Sequence, residues 1–553
     1  MSSSFDPSAL REQFPALHQQ VHGRELVYFD NAATTQKPLA VIGAMNAYYR
    51  CNNANVHRAS HALSAAATRD FEAARATVAR FLNAVKSENI VWTRGATEAI
   101  NLVAQSWGRA NLSANDEILL SEQEHHANIV PWQLLAQEIG FSIQVIPVLA
   151  SGELDLNAYQ ALLSDKTKLV SVCHVSNALG IINPVATITQ QAHAAGAKIL
   201  IDGAQAIAHL SVDVQAIDCD FYAFSGHKVF GPTGIGVLYG KSDLLNAMPP
   251  WQGGGEMIEH VSFAGTRFQQ PPFKFEAGTP AIAEAIGLAA AIDFLNEQST
   301  EKLQKHETAL LNYARQQLKQ IKGIQFYGDV VDKVSVISFS ITGHHQKDIA
   351  STLDHHGIAI RAGHHCTMPL MQALGINGTL RIALAFYNTF EEIDSLIAAL
   401  QEIMSGDEEE LEHPPAGVLD ILRNEKSWDA RYRQLMLIGK KVSLAGDVVD
   451  LRRDENLIAG CENQAWLSHN IDADNLQIAF YADSDAKIIR GLLALVLDIC
   501  NGKTAQQITD FDFEALFEEL GLQQHLSPSR GNGLISITGK IKETAQNKKK
   551  THK

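Results

Sequence analysis

From about Glu117 to Gly240 the chain alternates short apolar runs with stretches of helical character, and no other feature limits the fold as much. The runs EILLS, SIQVIPV, KLVSVCHVS, AKILIDGA, DFYAFSG and GIGVLYG have strand length and β-branched or aromatic content. Helical stretches at 128–140 and 186–196 separate several of them. Strands alternating with helices build an α/β fold around a mostly parallel sheet. Upstream, Phe71, Ala74, Val78 and Leu82 fall at helical spacing and form one apolar stripe. A second, smaller α/β pattern fills 330–403: VSVISFSI, a helix at 346–356, GIAIRAG, TLRIALAFYN and a closing helix at 390–403.

At 553 residues the chain exceeds what one hydrophobic core serves well. The run SGDEEELEHPPAG, with five acids and two prolines, has linker composition. The expected division is a first domain at 1–404, a linker at 405–416, a compact domain at 417–545 and a basic tail at 546–553. A formal charge of −16 argues against nucleic acid or an anionic membrane as partner. The basic NKKKTHK reads as a solvated end. The start MSSSFDPSALREQFPAL has no secretory pattern, and no run of eighteen apolar residues occurs, so a cytoplasmic location is expected. Six cysteines (51, 173, 219, 366, 461 and 500) form no CxxC pair, hence neither a disulfide framework nor a zinc signature. The histidine pairs at 125–126, 344–345, 355–356 and 364–365 make poor chelates, because neighbours on a strand point to opposite faces. No metal is expected.

Chemistry gathers where the strands end. Lys228, in SGHK, follows the run DFYAF and precedes the glycine-rich GPTGIG, where backbone can approach a ligand. A lysine desolvated there has a lowered pKa and can form a Schiff base. Asp202, in IDGAQ, also closes an apolar run, and parallel sheets bind ligands at the carboxyl ends of their strands. A carboxylate in that place can keep a pyridine nitrogen protonated and make the ring an electron sink. The segment RGATEAIN opens a helix, so the amides of Gly95 to Glu98 and the Thr97 hydroxyl offer an anion site. Ser225 and His227 flank the lysine and can complete that cup, His125 can stack on a ring, and Asn177 and Gln205 can donate to its phenolic oxygen. Cys366, in RAGHHCTMPL, has polar or glycine neighbours that suit a loop. Arg361 and Arg381 are cations available to favour its thiolate.

The segments EHHANIVPW, HVSNALG, DGAQA, DFYAFSGHKVFGPTGIGVLYG and RAGHHCTMPL closely resemble the Suf/Csd-type, group II cysteine desulfurases, over roughly residues 5–403. The resemblance implies a fold-type I pyridoxal-phosphate enzyme, related to aminotransferases. It implies Lys228 as the Schiff-base lysine and general base, Asp202 at the pyridine nitrogen and His125 on the ring. Thr97, Ser225 and His227 become phosphate ligands, and Arg381 grips the substrate carboxylate. Ala96 stands where relatives often carry threonine, leaving the backbone amide but no hydroxyl. The family is dimeric, and Thr279, in AGTP, is implied as a phosphate contact from the partner chain. The implied reaction converts L-cysteine to L-alanine and leaves a persulfide on Cys366, with L-selenocysteine as a second candidate substrate.

Beyond the linker, RYRQLMLIGK, IAGCENQAWL, YADSDAKIIRGLLALVL and HLSPSRGNGL resemble the SufE/CsdE sulfur acceptors, an α+β family. That likeness marks Cys461 as the next persulfide carrier, with Asp483 and Arg530 in neighbouring matched blocks. Cys500, inside an apolar helix, fits a core instead. A dozen linker residues span at most about 40 Å, so tethering raises the acceptor's effective concentration near the donor. An iron–sulfur scaffold or a tRNA-modification protein are the implied destinations of the sulfur. A selenocysteine lyase, another fold-type I enzyme such as an aminotransferase or kynureninase-like hydrolase, and a non-catalytic sulfur carrier are the competing readings.

Overall fold

The apolar runs of the first half, all but the edge strand at 142–146 buried on both faces, pair into one seven-stranded sheet in the computed structural model, which describes residues 6–58, 60–405, 417–441, 451–458, 464–471, 477–526 and 528–551. Its strands are β1 (Ile90–Thr93), β2 (Glu117–Ser121), β3 (Ser142–Ile146), β4 (Thr167–Cys173), β5 (Lys198–Asp202), β6 (Phe221–Ser225) and β7 (Gly236–Gly240), in spatial order β1-β7-β6-β5-β4-β2-β3. All pairs are parallel except those made by β7, which is antiparallel to both β1 and β6. Strands covered on both faces read as continuous apolar runs rather than as alternating ones, and β4 to β7 do. The expected helices appear as Val130–Ile139 and Val185–Ala194. The apolar stripe belongs to α1 (Ala62–Phe81), whose Phe71, Val78 and C-cap Leu82 are fully buried. Each such side chain contributes about 1.5–3 kcal/mol.

Two compact units divide the chain: Met1–Thr342 with His356–Ala399, and Gly343–His355 with Leu400–Lys553. The first also holds a four-stranded antiparallel sheet of β8 (Ile324–Tyr327), β9 (Val336–Ile341), β10 (Arg361–Gly363) and β11 (Thr379–Ala383), ordered β8-β9-β11-β10. GIAIRAG therefore departs from the single strand that the sequence suggests. Ile358–Ala359 pairs in parallel with Val27–Tyr28, and only Arg361–Gly363 joins β11. That exchange of partners sets Arg361 directly opposite Arg381. Like charges across a ladder repel, and an acid from elsewhere in the chain compensates, as described below.

In the second unit, three antiparallel strands, Ala465–Ile471, Gln477–Ser484 and Lys503–Thr504, lie in that order. Helices Trp428–Lys441 and Lys487–Cys500 pack backbone to backbone at two glycines. A Cβ on Gly439 would lie 1.8 Å from the Lys487 carbonyl, and one on Gly491 2.1 Å from that of Leu435. Cys500 is buried in this core, and burial pushes its thiol up to about 12. Asp483 binds the guanidinium of Arg452 at 2.8 Å. Cys461, linker residues 406–416 and the Arg530 side chain lie outside the described residues. No described helix is long and apolar enough to cross a membrane.

Candidate active site

Parallel pairing brings the ends of β4, β5 and β6 side by side, with Cys173 opposite Asp202 and Asp202 opposite Ala223. Asp202 is buried, and its Oδ1 accepts the Ala204 amide at 2.9 Å. Burial raises its carboxyl pKa, against the Ala204 amide and the charge of Lys228. Lys228 ends a short turn after β6. Burial pulls its ammonium down to about 8; Asp202 opposes this, while Arg381 and Arg361 add to it. The preceding carbonyl, of His227, accepts from the Thr35 amide, the Thr34 and Thr35 hydroxyls and Lys37 Nζ, all within 3.2 Å. The lysine-bearing turn is thereby fixed by four donors from a distant segment.

Helix α2 (Ala96–Val103) starts beside this turn, with Gly95 as N-cap. The Ala96 amide donates to Ser225 Oγ at 2.8 Å, which leaves the serine hydroxyl hydrogen free to donate elsewhere. Gly236 must be glycine, because a Cβ there would sit 2.3 Å from Gly95 Cα. His125 is half-buried, and its Nδ1 accepts the Ala127 amide at 3.1 Å. Burial, with Lys228, His126 and Arg381, pulls its imidazole down to about 4. The ring is neutral at pH 7, and with Nδ1 accepting, Nε2 carries the proton.

Cys366 is half-buried on the loop after β10. It and His365 are consecutive left-handed non-glycine residues, with φ of 58° and 52°. Such conformations persist where the surroundings over-determine them. Here Asn177 Nδ2 donates to the His365 carbonyl at 2.8 Å, and His365 Nε2 meets Thr379 Oγ1 at 2.8 Å. Arg381 is buried; it donates to the Asn177 carbonyl at 2.9 Å and to Asp30 Oδ1 at 3.0 Å. Asp30 Oδ2 also binds Arg361 at 3.1 Å, so a single carboxylate bridges the facing arginine pair and offsets one of its two charges.

A family model for class-V aminotransferases matches residues 27–396, and one for an Fe–S metabolism associated domain matches 417–545. A probable cysteine desulfurase of Vibrio cholerae is 53% identical over 394 residues, 71% of this chain and 97% of that protein. The chain is 52% identical to a Synechococcus elongatus cysteine desulfurase over 73% of its own length but only 64% of that protein's. The crystal structure of the Escherichia coli cysteine desulfurase CsdA superposes with a TM-score of 0.68 at 42% identity, covering 73% of this chain and 99% of that one. The chain belongs to the cysteine desulfurases.

In this cysteine desulfurase one cavity of about 190 Å³ is lined by Lys228, Asp202, His125, Thr97, Ser225 and His227. Asn177, Gln205, Arg361, Arg381 and Cys366 line the same cavity. Thr279 does not; it borders a separate pocket of about 390 Å³ with Arg94 and Glu98. Pyridoxal phosphate suits the residues present. His227 Nδ1 and Gln205 Oε1 are buried polar atoms with no hydrogen-bond partner among the described residues, and a helix N-terminus faces an acid and a lysine across the cavity.

Three contributors escaped the sequence reading. Asp30 comes from the N-terminal segment and meets the sheet at one isolated bridge to Ala383. Its only signal is its place after the apolar run LVYF. Glu124 looks like an exposed acid beside the histidines but is fully buried, accepting from the Ser121 hydroxyl, Asn128 Nδ2 and the Cys173 amide. Burial pushes it up to about 7. Cys173, at the end of β4, also lines the cavity, and burial, with Glu124 and Asp202 nearby, holds its thiol protonated.

Proposed function

We propose that this chain converts L-cysteine to L-alanine with pyridoxal phosphate as cofactor, takes the sulfur as a persulfide on Cys366 and relays it to Cys461. One observation carries the reading: the half-buried Lys228, the buried Asp202 and a loop-borne thiol line a single cavity. When bound, the cofactor supplies the electron sink that weakens bonds at the substrate's Cα and Cβ. Asp202 would hold the ring nitrogen and Lys228 the aldehyde carbon. The Thr97, Ser225 and His227 donors would hold the phosphate, and His125 would cover the ring.

Arg381, tied to Asp30 and the Asn177 carbonyl, turns its remaining N–H groups to the substrate carboxylate, with Arg361 at the cavity edge. Lys228 takes the Cα proton, a task suited to an amine held near 8. Cys366, on the same cavity lining as Lys228 and Arg381, attacks the substrate sulfur, the thiolate being the nucleophilic form of the group. An S–S bond forms and the Cβ–S bond breaks; its electron pair stays with the carbon, which takes a proton to give alanine. Neutral His125 can donate its Nε2–H to the substrate sulfur, whose own proton stays on the outer sulfur of the persulfide.

The pocket bordered by Thr279, Arg94 and Glu98, which a partner chain can share, supports a homodimer. Residues 1–404 then act as donor and 417–545 as acceptor, with an iron–sulfur scaffold or a tRNA-modification protein receiving the sulfur in a reducing cytoplasm. L-selenocysteine fits the same carboxylate and amine contacts as L-cysteine. The test is Cys366→Ala in the full chain. Alanine and persulfide formation should stop while the visible band of the Lys228-bound cofactor stays, and unchanged turnover would refute the assignment. Peptide mass spectrometry of the cysteine-treated wild type should find the extra sulfur on Cys366 and on Cys461. Its absence from Cys461 alone removes the relay.

A further inference from the structure

We propose that His126 is a positioning residue for Cys366, clamping the thiol-bearing loop through two bonds made by one residue. The inference rests on the reading of Cys366 as the sulfur-taking thiol. After β2 the chain enters a short turn, His126–Asn128, at the cavity edge. The His126 amide donates to the Cys366 carbonyl at 2.9 Å. Its ring Nε2 accepts the Met368 amide at 3.2 Å. From the other side, His364 Nδ1 accepts the Cys366 amide at 3.0 Å. Both polar groups of the Cys366 backbone are thus held, and the residue two places on is held as well.

The clamp has a specific purpose in this geometry. A left-handed pair, His365 and Cys366, relaxes to ordinary backbone unless neighbouring bonds prevent it, and relaxation swings the Cys366 side chain away from the cavity. His125 and His126 are consecutive, so the residue facing the cofactor and the residue holding the sulfur loop share one backbone. That shared backbone ties the distance from thiol to substrate to the place of the ring. The ring bond of His126 is half-exposed and single, so water can replace it when the loop must release its sulfur outward.

The test uses the full-length holoenzyme. His126→Phe removes the ring acceptor, whereas His126→Gln places a carbonyl oxygen near the position of Nε2. Met368→Pro deletes the donor from the other side, at the first position of the helix Met368–Ala373, where proline is tolerated. Expected for His126→Phe is an iodoacetamide alkylation rate at Cys366, followed by peptide mass spectrometry, raised about fivefold or more as the loop opens locally. Its kcat falls about tenfold or more with KM for cysteine little changed, because binding groups stay in place while the attacking atom is misplaced. The cofactor band is unchanged, His126→Gln restores both rates, and Met368→Pro reproduces His126→Phe without adding to it. The proposal is overturned if His126→Phe and Met368→Pro leave alkylation unchanged, or if His126→Gln is as impaired as His126→Phe. Should the Phe variant not fold, Met368→Pro and His126→Gln decide alone. Turnover surviving in Cys366→Ala would instead sink the underlying function.

Discussion

The Asp202–Lys228 side of the cavity and the Cys366 side are held by different kinds of structure. Asp202 and Lys228 stand at the ends of strands buried on both faces, and their positions follow from the register of a parallel sheet. Cys366 sits half-buried on a loop, in left-handed backbone, tied down by side chains that reach it from His364, His126 and Asn177. The first arrangement changes only if the sheet does. The second can be undone a few hydrogen bonds at a time. A cofactor must stay put through every turnover, whereas a sulfur carrier must face inward to load and outward to deliver.

Asp30 joins the two sides, because its carboxylate holds the buried Arg381 and the exposed Arg361 together. Asp30→Asn should therefore do the most to break the contrast, lowering kcat/KM for cysteine about 10- to 100-fold, the equivalent of one charged hydrogen bond. Steady-state kinetics beside a thermal melt check this; an equal loss of folded protein would make Asp30 a structural residue only. On the sheet side, Lys228 must be neutral to react. Below about 8 its ammonium form dominates, so cofactor uptake by cofactor-free chain should rise about tenfold per pH unit and flatten above that point. Stopped-flow absorbance gives the midpoint, and a value near 10.5 would mean that burial does not act on this amine. On the loop side the expected effect is smallest. Cys366→Gly should melt as a chain about 1 kcal/mol more stable than Cys366→Ala, since glycine alone takes φ of 58° without strain. Equal melting temperatures would show that the loop stores no backbone strain.

The sheet side was legible in the sequence because strand ends are legible. Apolar runs of five to seven residues mark β2 to β7, and polar residues at or within four places of their ends, Asp202, Lys228 and His125 among them, line the cavity. The loop side was legible only in its residue types. GIAIRAG gave no hint of its change of partner, since strands of two and three residues carry too little periodicity to show which neighbour they choose. Asp30 was invisible for a related reason: its role depends on a single bridge between segments some 350 residues apart. Glu124 gave no signal because an acid among histidines has the composition of a surface turn; Ser121 and Asn128 are local donors, and the tertiary fold adds the Cys173 amide and the burial.

Cys173 has a consequence for where sulfur can travel. It shares a cavity wall with Cys366, yet burial and its two acidic neighbours keep its proton on. Cys219, buried below the same sheet, is likewise pushed well up by burial. A protonated thiol exchanges slowly with a persulfide, because only the thiolate attacks sulfur. Cys173 therefore acts as insulation. On the proposed role of Cys366, a sulfur atom carried there meets no second conductor among the described residues of the wall, and its route out runs through the loop that holds it.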